Sequence, residues 1–558
     1  MTKTFKRVVS ASVASLLVIS ALAGCGKESQ PIDVENPTVE ILSKAFNASS
    51  AGSDSPVVQE LESYLAGQMG VNDLTLNIKW APSATYNEKA VTTMGSGVYP
   101  HAMLVSSRNS SVIVAARRGI FWEITDAFAE DSPYENLKQA SPLINRNISI
   151  DGGNYGIYRS RELGRAGISI RKDWLDKLGE PIPETLEDFD RVMRRFSEED
   201  PDGNGENDTY GMIISTYLAG PLDNLALWNG APNGWGIDPK TEMLVPSFMF
   251  DQYVGAMDMI KGWYDKKYIN QNMASLADSK WNDDFLNGNA GIIIDVADRA
   301  RRLAANIEEL NDDDHPKSKG AVVDVFGYVK KDENTPKRTL PTTGYDSFYV
   351  LPKPALPSEE QRNFMLGVMD HLNDKVAVDL MNYGIEGTHY NVVPGVDSAT
   401  GKNVLYAEKV NDTALQGQIN DLNQLSMGIV SFEDGFATKY SADAAIVAEK
   451  VNAVYADNKL WAVSNPAEPY VSPTYTRRGT TLDDIMANAK AKYCSGNISL
   501  DQYKEEIQRW LNMGGYDVIA EMNESFALDT VAQEEKAAML EDANARGVGV
   551  LEGLNYQR

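Results

Sequence analysis

The chain has 558 residues and a formal charge of −27, from 79 acidic side chains against 52 lysines and arginines. A surface of that sign repels phosphate backbones and anionic headgroups, which excludes nucleic acid as a partner. Only two cysteines occur, so the chain can form one disulfide at most; a chain this long instead buries a large core and divides it over at least two lobes.

Residues 1–24 read as a leader. Lys3, Lys6 and Arg7 precede an apolar stretch from Val8 to Leu22 that is too short, and too rich in serine and alanine, to span a bilayer. It runs into Leu22-Ala23-Gly24-Cys25, which resembles a bacterial lipoprotein signal. The resemblance implies cleavage before Cys25, lipidation of that cysteine, and work on the extracytoplasmic face of the cell membrane. Several acyl chains, at roughly 0.8 kcal/mol per buried methylene, make a durable anchor. Residues 25–35 then form a polar tether, and Cys494 is left without a partner in the chain.

Strands and helices alternate along the remainder. The polar, glycine-containing loop Asn47 to Asp54 follows the first predicted strand. Leu74 to Trp80 alternates apolar and polar residues as a half-buried strand, and Ala102 to Val105 is a short buried one that runs into Ser106-Ser107-Arg108. Thr185, Ser358 and Ser499 each stand three residues before Asp188, Gln361 and Gln502, the spacing of a capping box. After Ser358, residues Phe364, Met365, Val368, Met369 and Leu372 recur at helical spacing and define a core-facing stripe. Asn311 to Lys319 reads as a solvated surface loop. The fold class is α/β with helical elements at the C-terminus.

Three motif groups then give a family resemblance. Asp151-Gly-Gly-Asn-Tyr-Gly-Ile-Tyr158 is followed by Gly167 to Gly179 and by Pro183 to Phe189. Phe285 to Gly291 leads into the run Ile292 to Asp295. Tyr383 to Tyr390 precedes Trp510 to Gly515 and Glu521 to Asn523. Their collinear order resembles the lipoprotein branch of the family-1 extracellular solute-binding proteins. The resemblance implies a two-lobe, periplasmic-binding-protein-like fold of type II. It places lobe one at 36–164 plus 342–398 and lobe two at 165–341 plus 399–558. It implies a monomer that closes over a solute, an oligosaccharide or another polar small molecule, and delivers it to the permease of an ABC importer without chemistry on the ligand.

Asp200-Pro-Asp-Gly-Asn-Gly-Glu-Asn-Asp208 carries a second kind of chemistry. Asp200, Asp202 and Asn204 alternate, Gly205 permits a sharp turn, and the Glu206 carbonyl follows, as in the first half of an EF-hand loop. The twelfth position is Gly211 instead of a bidentate glutamate, so Asp208 is the substitute ligand. The reading is a structural Ca²⁺ site, against a metal-free acidic turn; the resemblance adds that alginate-binding members use a shortened loop of this sort. With no His or Cys in the loop, a transition metal is disfavoured.

Ligand contacts follow mainly from the resemblance. Asp54, Ser106 and Arg108 sit on loops after predicted strands of lobe one, and Asp295 and Asp298 follow the strand at Ile292 in lobe two. Trp228 and Trp235 offer flat faces for stacking on pyranose rings. Tyr345 lies near the second crossover, and Glu386 and His389 lie in a family motif. Each has a plainer reading: Asp295 as a helix cap, Tyr345 as hinge packing, Glu386 and His389 as a hydrogen-bonded pair. Trp174, Trp263 and Trp510, at helical positions, read as packing.

Two other function classes compete. A secreted carbohydrate-active enzyme needs only two suitably separated carboxylates, but the chain has no G-x-S-x-G elbow, no H-E-x-x-H and no phosphate loop, and its four histidines are scattered. A surface glycan-binding protein uncoupled from transport would present a static platform in place of a closing cleft.

Overall fold

The computed structural model describes residues 29–310, 317–396, 402–432, 434–437 and 442–557. The leader, Cys25 and residues 311–316 of the surface loop lie outside the described residues.

The strands, in chain order, are β1 (Thr38–Ala45), β2 (Thr75–Pro82), β3 (Ala102–Val105), β4 (Gly156–Ser160), β5 (Ala166–Arg171), β6 (Tyr210–Met212), β7 (Trp235–Ile237), β8 (Leu244–Pro246), β9 (Ala290–Val296), β10 (Val323–Phe326), β11 (Tyr345–Val350), β12 (Tyr390–Val396) and β13 (Asn403–Lys409). They build a five-stranded sheet of order β2-β1-β3-β11-β4 and a four-stranded sheet of order β10-β5-β9-β6, with two separate hairpins, β7-β8 and β12-β13. Each large sheet carries its own lobe. The chain passes between them after β4, after β10, and again between Met427 and the helix Ala442–Leu460, which packs on β10 and on the helix Asp298–Glu309.

In the first lobe, β1 pairs in parallel with β2 and β3, while β11 enters antiparallel between β3 and β4. The helix Glu359–His371 covers this sheet with Met365, Val368 and Met369 fully buried, the stripe read from spacing. In the second lobe both sheet faces are covered, which explains why every residue of β5 is buried and why Ile292, Ile293 and Ile294 form an unbroken apolar run. One face meets the helix Leu186–Glu198 through Phe189, Val192, Met193 and Phe196; the other meets Val447 and Val451. Gly291 is required there, since a Cβ would stand 2.3 Å from the Phe196 ring.

All three capping boxes form, at Thr185, Ser358 and Ser499. Two boundaries differ from expectation. Ile32, placed in the tether, is buried in the first core, and its carbonyl accepts from Gln361 Nε2 at 2.8 Å. Ile419, Leu422, Leu425 and Met427, placed in lobe two by a boundary at 399, pack in the first core. Asp421 explains the second difference: its carboxylate gathers Phe46 N–H, Asn47 Nδ2 and Ser50 Oγ at 2.7–2.9 Å, tying this segment to the loop after β1.

Candidate functional site

A cavity of about 1170 Å³ lies between the lobes. The first lobe contributes the loop after β3, Ser107 to Ser110, and Tyr345 at the start of β11. The second contributes Thr216 to Asp223, the turn and strand around Trp235, Pro246 to Phe248, Asn465 to Ser472, one face of the helix Pro473–Cys494, and Trp510. Its volume slightly exceeds that of an ordinary small-molecule pocket.

Arg108 crosses the cavity. Its Nη1 donates to the Ser149 and Pro469 carbonyls, both at 3.1 Å, and its Nη2 donates to the Glu468 carbonyl and stands 3.6 Å from the Glu468 carboxylate. Burial pushes the Glu468 carboxyl up, against the opposing pull of Arg108 and a 3.2 Å hydrogen bond from Asn465. Tyr345 packs its ring edge-on to Phe348 at 6.1 Å, and burial raises its phenol as well.

The second-lobe wall is aromatic and acidic. Phe248 and Trp510 meet edge to face at 5.3 Å, and the Lys490 ammonium sits 5.5 Å from the Phe248 ring and 4.9 Å from Tyr253. Tyr253 donates to Asp223 at 2.7 Å, and Tyr475 donates to both oxygens of Asp483 at 2.8 and 2.7 Å. Burial raises the Asp483 carboxyl. Trp235 is half-buried, and Tyr217 is 49% exposed at the rim. Among the described residues, no histidine or cysteine lines the cavity. The arrangement offers flat apolar faces interleaved with carboxylates, amides and cations, which suits a ligand with apolar C–H faces and many hydroxyls.

Trp510, read from sequence as packing, lines this cavity, and of the residues read from sequence as ligand contacts, Arg108, Trp235 and Tyr345 line it too. The others do not. Trp228 is 2% exposed within the second core, so neither ring face is open to a ligand. Asp295 is held by Arg299 at 2.6 Å. Asp298 is buried and clamped by Arg165 at 2.9 Å, by Tyr455 at 3.1 Å and by Arg302, which makes it a fastening for the helix it begins. Asp54 is exposed one residue before the helix cap Ser55, and Ser106 donates to Asn87 at 2.7 Å. Glu386 points to solvent, while His389 is fully buried, accepting from Ile385 N–H at 3.1 Å and facing Gln418 Oε1 at 3.1 Å; the two form no pair.

Sequence reasoning missed Asp223, Tyr253, Glu468, Tyr475, Asp483 and Lys490. A signal existed for three of them. Tyr475, Asp483 and Lys490 recur at near-heptad spacing on the helix Pro473–Cys494, along the edge of its buried stripe of Leu482, Ile485, Met486 and Ala489.

In the acidic loop, Asp200 has a left-handed backbone, φ 23°, and its carboxylate accepts the N–H groups of Gly203 at 2.8 Å and of Asn204 and Gly205 at 3.1 Å. Asn204 Nδ2 bridges Asp202 at 3.0 Å and Asp208 at 3.2 Å. The Lys317 ammonium lies 2.6 Å from Asp208 and 3.5 Å from Asp202, and its hydrogen bond holds the Asp208 carboxyl below the usual range. Glu206 N–H donates to Asn204 at 2.6 Å. Among the described residues no three His, Cys, Asp or Glu side chains are grouped as a metal site; the oxygen donors are of the type calcium takes, and two of them face Lys317.

No family model matches the chain. Lipoprotein LipO of Bacillus subtilis is 32% identical over 522 residues, covering 91% of this chain and 97% of its own length. The polygalacturonan/rhamnogalacturonan-binding protein YtcQ of the same organism is 30% identical over 453 residues, 81% of this chain and 85% of its own. Among solved structures, a solute-binding protein from Bifidobacterium longum infantis, described as HMO-binding and ABC-transporter-associated, superposes with a TM-score of 0.63 at 15% identity, covering 91% of this chain and 99% of the other. An EF-hand mutant of the Streptococcus pneumoniae ABC-transporter substrate-binding protein FusA, in complex with fructo-nystose, gives 0.60 at 16% identity, covering 90% of this chain and 100% of the other. Both share the two-lobe fold.

Proposed function

We propose, for a chain that belongs to the extracellular solute-binding proteins of ABC transporters, that the cavity between its lobes captures an oligosaccharide and that closure over it presents the load to a permease in the same membrane. The observation that carries this reading is the composition of the cavity wall: Trp235, Tyr217, Tyr475 and Phe248 alternate with Asp223, Glu468 and Asp483, and both lobes contribute. Rings stack on sugar C–H faces, carboxylates and amides fix hydroxyls, and a ligand touching both lobes favours the closed state by its differential contacts.

The protein acts by binding and closure, without chemistry on its ligand, in keeping with relatives described as binding proteins. No helix among the described residues is long and apolar enough to cross a membrane. Lipid on Cys25 is the proposed anchor to the extracytoplasmic face, and the protein works there as a monomer. Asp200, Asp202, Asn204, Asp208 and the Glu206 carbonyl are the proposed holders of a structural calcium, which on binding would compete with Lys317 for Asp202 and Asp208.

The test is calorimetric titration of the full chain against panels of neutral and acidic oligosaccharides and of peptides, with product analysis of the same samples. Stoichiometric binding of an oligosaccharide without turnover is expected. Cleavage of the sugar, or binding of peptides alone, overturns the proposal.

A further inference from the structure

A second hollow, of about 700 Å³, opens on the first lobe between the helix Pro56–Met69, residues 133–136, the helix Glu359–His371 and the start of the helix Lys375–Tyr383. It shares no lining residue with the interlobe cavity. Asp370 lines it and is 4% exposed. Its Oδ1 accepts two backbone N–H groups, from Asn136 at 2.9 Å and Leu137 at 2.8 Å, whereas Oδ2 has no partner among the described residues. Oδ2 is open to the hollow and not sealed in the core, and burial of the residue as a whole pushes the Asp370 carboxyl up.

The surroundings select what can donate to that oxygen. Asp374 accepts Tyr64 Oη at 2.9 Å and Asn136 Nδ2 at 2.8 Å, and lies 2.7 Å from His371 Nδ1. Glu135 stands exposed at the rim, paired with Lys138 at 2.7 Å. The ammonium lining the hollow, that of Lys375, is committed to Asp379 at 2.8 Å. Tyr64, Tyr134 and Met69 supply half-buried walls. Carboxylates beneath aromatic walls attract a cation with N–H donors. No metal-type grouping of His, Cys, Asp or Glu occurs among the described residues, which points away from an inorganic ion.

We propose that this hollow is a second ligand site, distinct from the interlobe cavity, for a small organic compound bearing a protonated amine or guanidinium that donates to Asp370 Oδ2. The site is sized for a ligand with a body as well as a charged head.

The probe is agmatine, with 1,4-butanediol as neutral control and calcium chloride as inorganic control, titrated into the full chain by calorimetry and followed by thermal melting. Agmatine is expected to bind and raise the melting temperature, butanediol and calcium to leave this response unmatched, and Asp370→Asn, which retains an acceptor for the two N–H groups, to weaken agmatine binding about tenfold or more. Gln68→Lys supplies an ammonium from the wall of the hollow and is expected to weaken agmatine binding similarly, so the test stands even if Asp370→Asn does not fold. Trp235→Ala, in the other cavity, is expected to bind agmatine as the wild type does. No binding by the wild type, an equal response to butanediol, unchanged binding in both Asp370→Asn and Gln68→Lys, or loss in Trp235→Ala overturns the proposal.

Discussion

Two arginines of the first lobe reach carboxylates of the second, and the two contacts behave oppositely. Arg108, inside the cavity, spends its donors on the carbonyls of Ser149, Glu468 and Pro469 and stands 3.6 Å from the Glu468 carboxylate. Burial therefore prevails and the Glu468 carboxyl is raised. Arg146, on the helix Pro142–Ile148, meets Asp529 at 2.5 Å; the same carboxylate accepts Tyr470 Oη at 3.0 Å and Ala532 N–H at 3.2 Å. Burial raises that carboxyl too, yet these hydrogen bonds outweigh it and the net shift is downward. Charge pairing across the lobes thus takes its sign from how many donors the carboxylate receives.

The largest test of this contrast is Arg108→Ala. It leaves the Glu468 carboxylate with Asn465 as its remaining side-chain donor and is expected to cost roughly 2 kcal/mol in urea unfolding, whereas Arg146→Ala, removing a more exposed partner, should cost about 1 kcal/mol or less. Equal losses would erase the distinction. Trp235→Ala comes next: it spares both arginines and should weaken sugar binding about tenfold, roughly 1.4 kcal/mol, with unfolding little changed. A variant that still binds with wild-type affinity would remove Trp235 from the binding wall.

The pH dependence sharpens the contrast further. A carboxyl whose folded pKa is raised binds its proton more tightly when folded, so Glu468 lowers stability as pH rises from its ordinary value of 4.5 through the raised one. Glu468→Gln should flatten that fall. Asp529 is depressed, so its contribution is present above the ordinary 3.8 and is lost as pH falls through the lower, folded value. Asp529→Asn should remove that acid loss. Melting curves of both variants across this range check the signs, and parallel slopes would refute them. The smallest effect expected lies at the acidic loop, where Lys317 pairs with Asp208 in the open. Chelation should lower the melting temperature slightly, and Lys317→Ala should tighten calcium binding; no metal uptake by either protein would dismiss the calcium proposal.

The fold was legible where local rules govern. The capping boxes at Thr185, Ser358 and Ser499 and the strand Ala102–Val105 need only neighbours in sequence, and all form as read. The cavity was legible in part, where a loop follows a buried strand, as at Arg108. Asp295 and Asp298 obey the same rule yet are taken by Arg299 and Arg165, partners that no spacing announces. Trp228 and Trp235 share one polar-looking segment, but the helix Ala219–Trp228 turns the first into the core while β7 leaves the second half-buried at the wall. Lys490 and Glu468 come from late segments whose place in the cavity depends on long-range packing.

The position of β11 has a consequence for how the molecule is made. This strand separates β3 from β4, so β4 has no neighbour in its sheet until residues 345–350 have been synthesised, after the whole of the second sheet. Closing a sheet over so long an intervening chain is slow, because the loop entropy is lost before the strand pairing is gained. The second sheet can assemble as its strands emerge, while the first stays open at its edge. Its nascent chain thus offers an unpaired strand to chaperones, and to misassembly, for as long as the other sheet takes to be built.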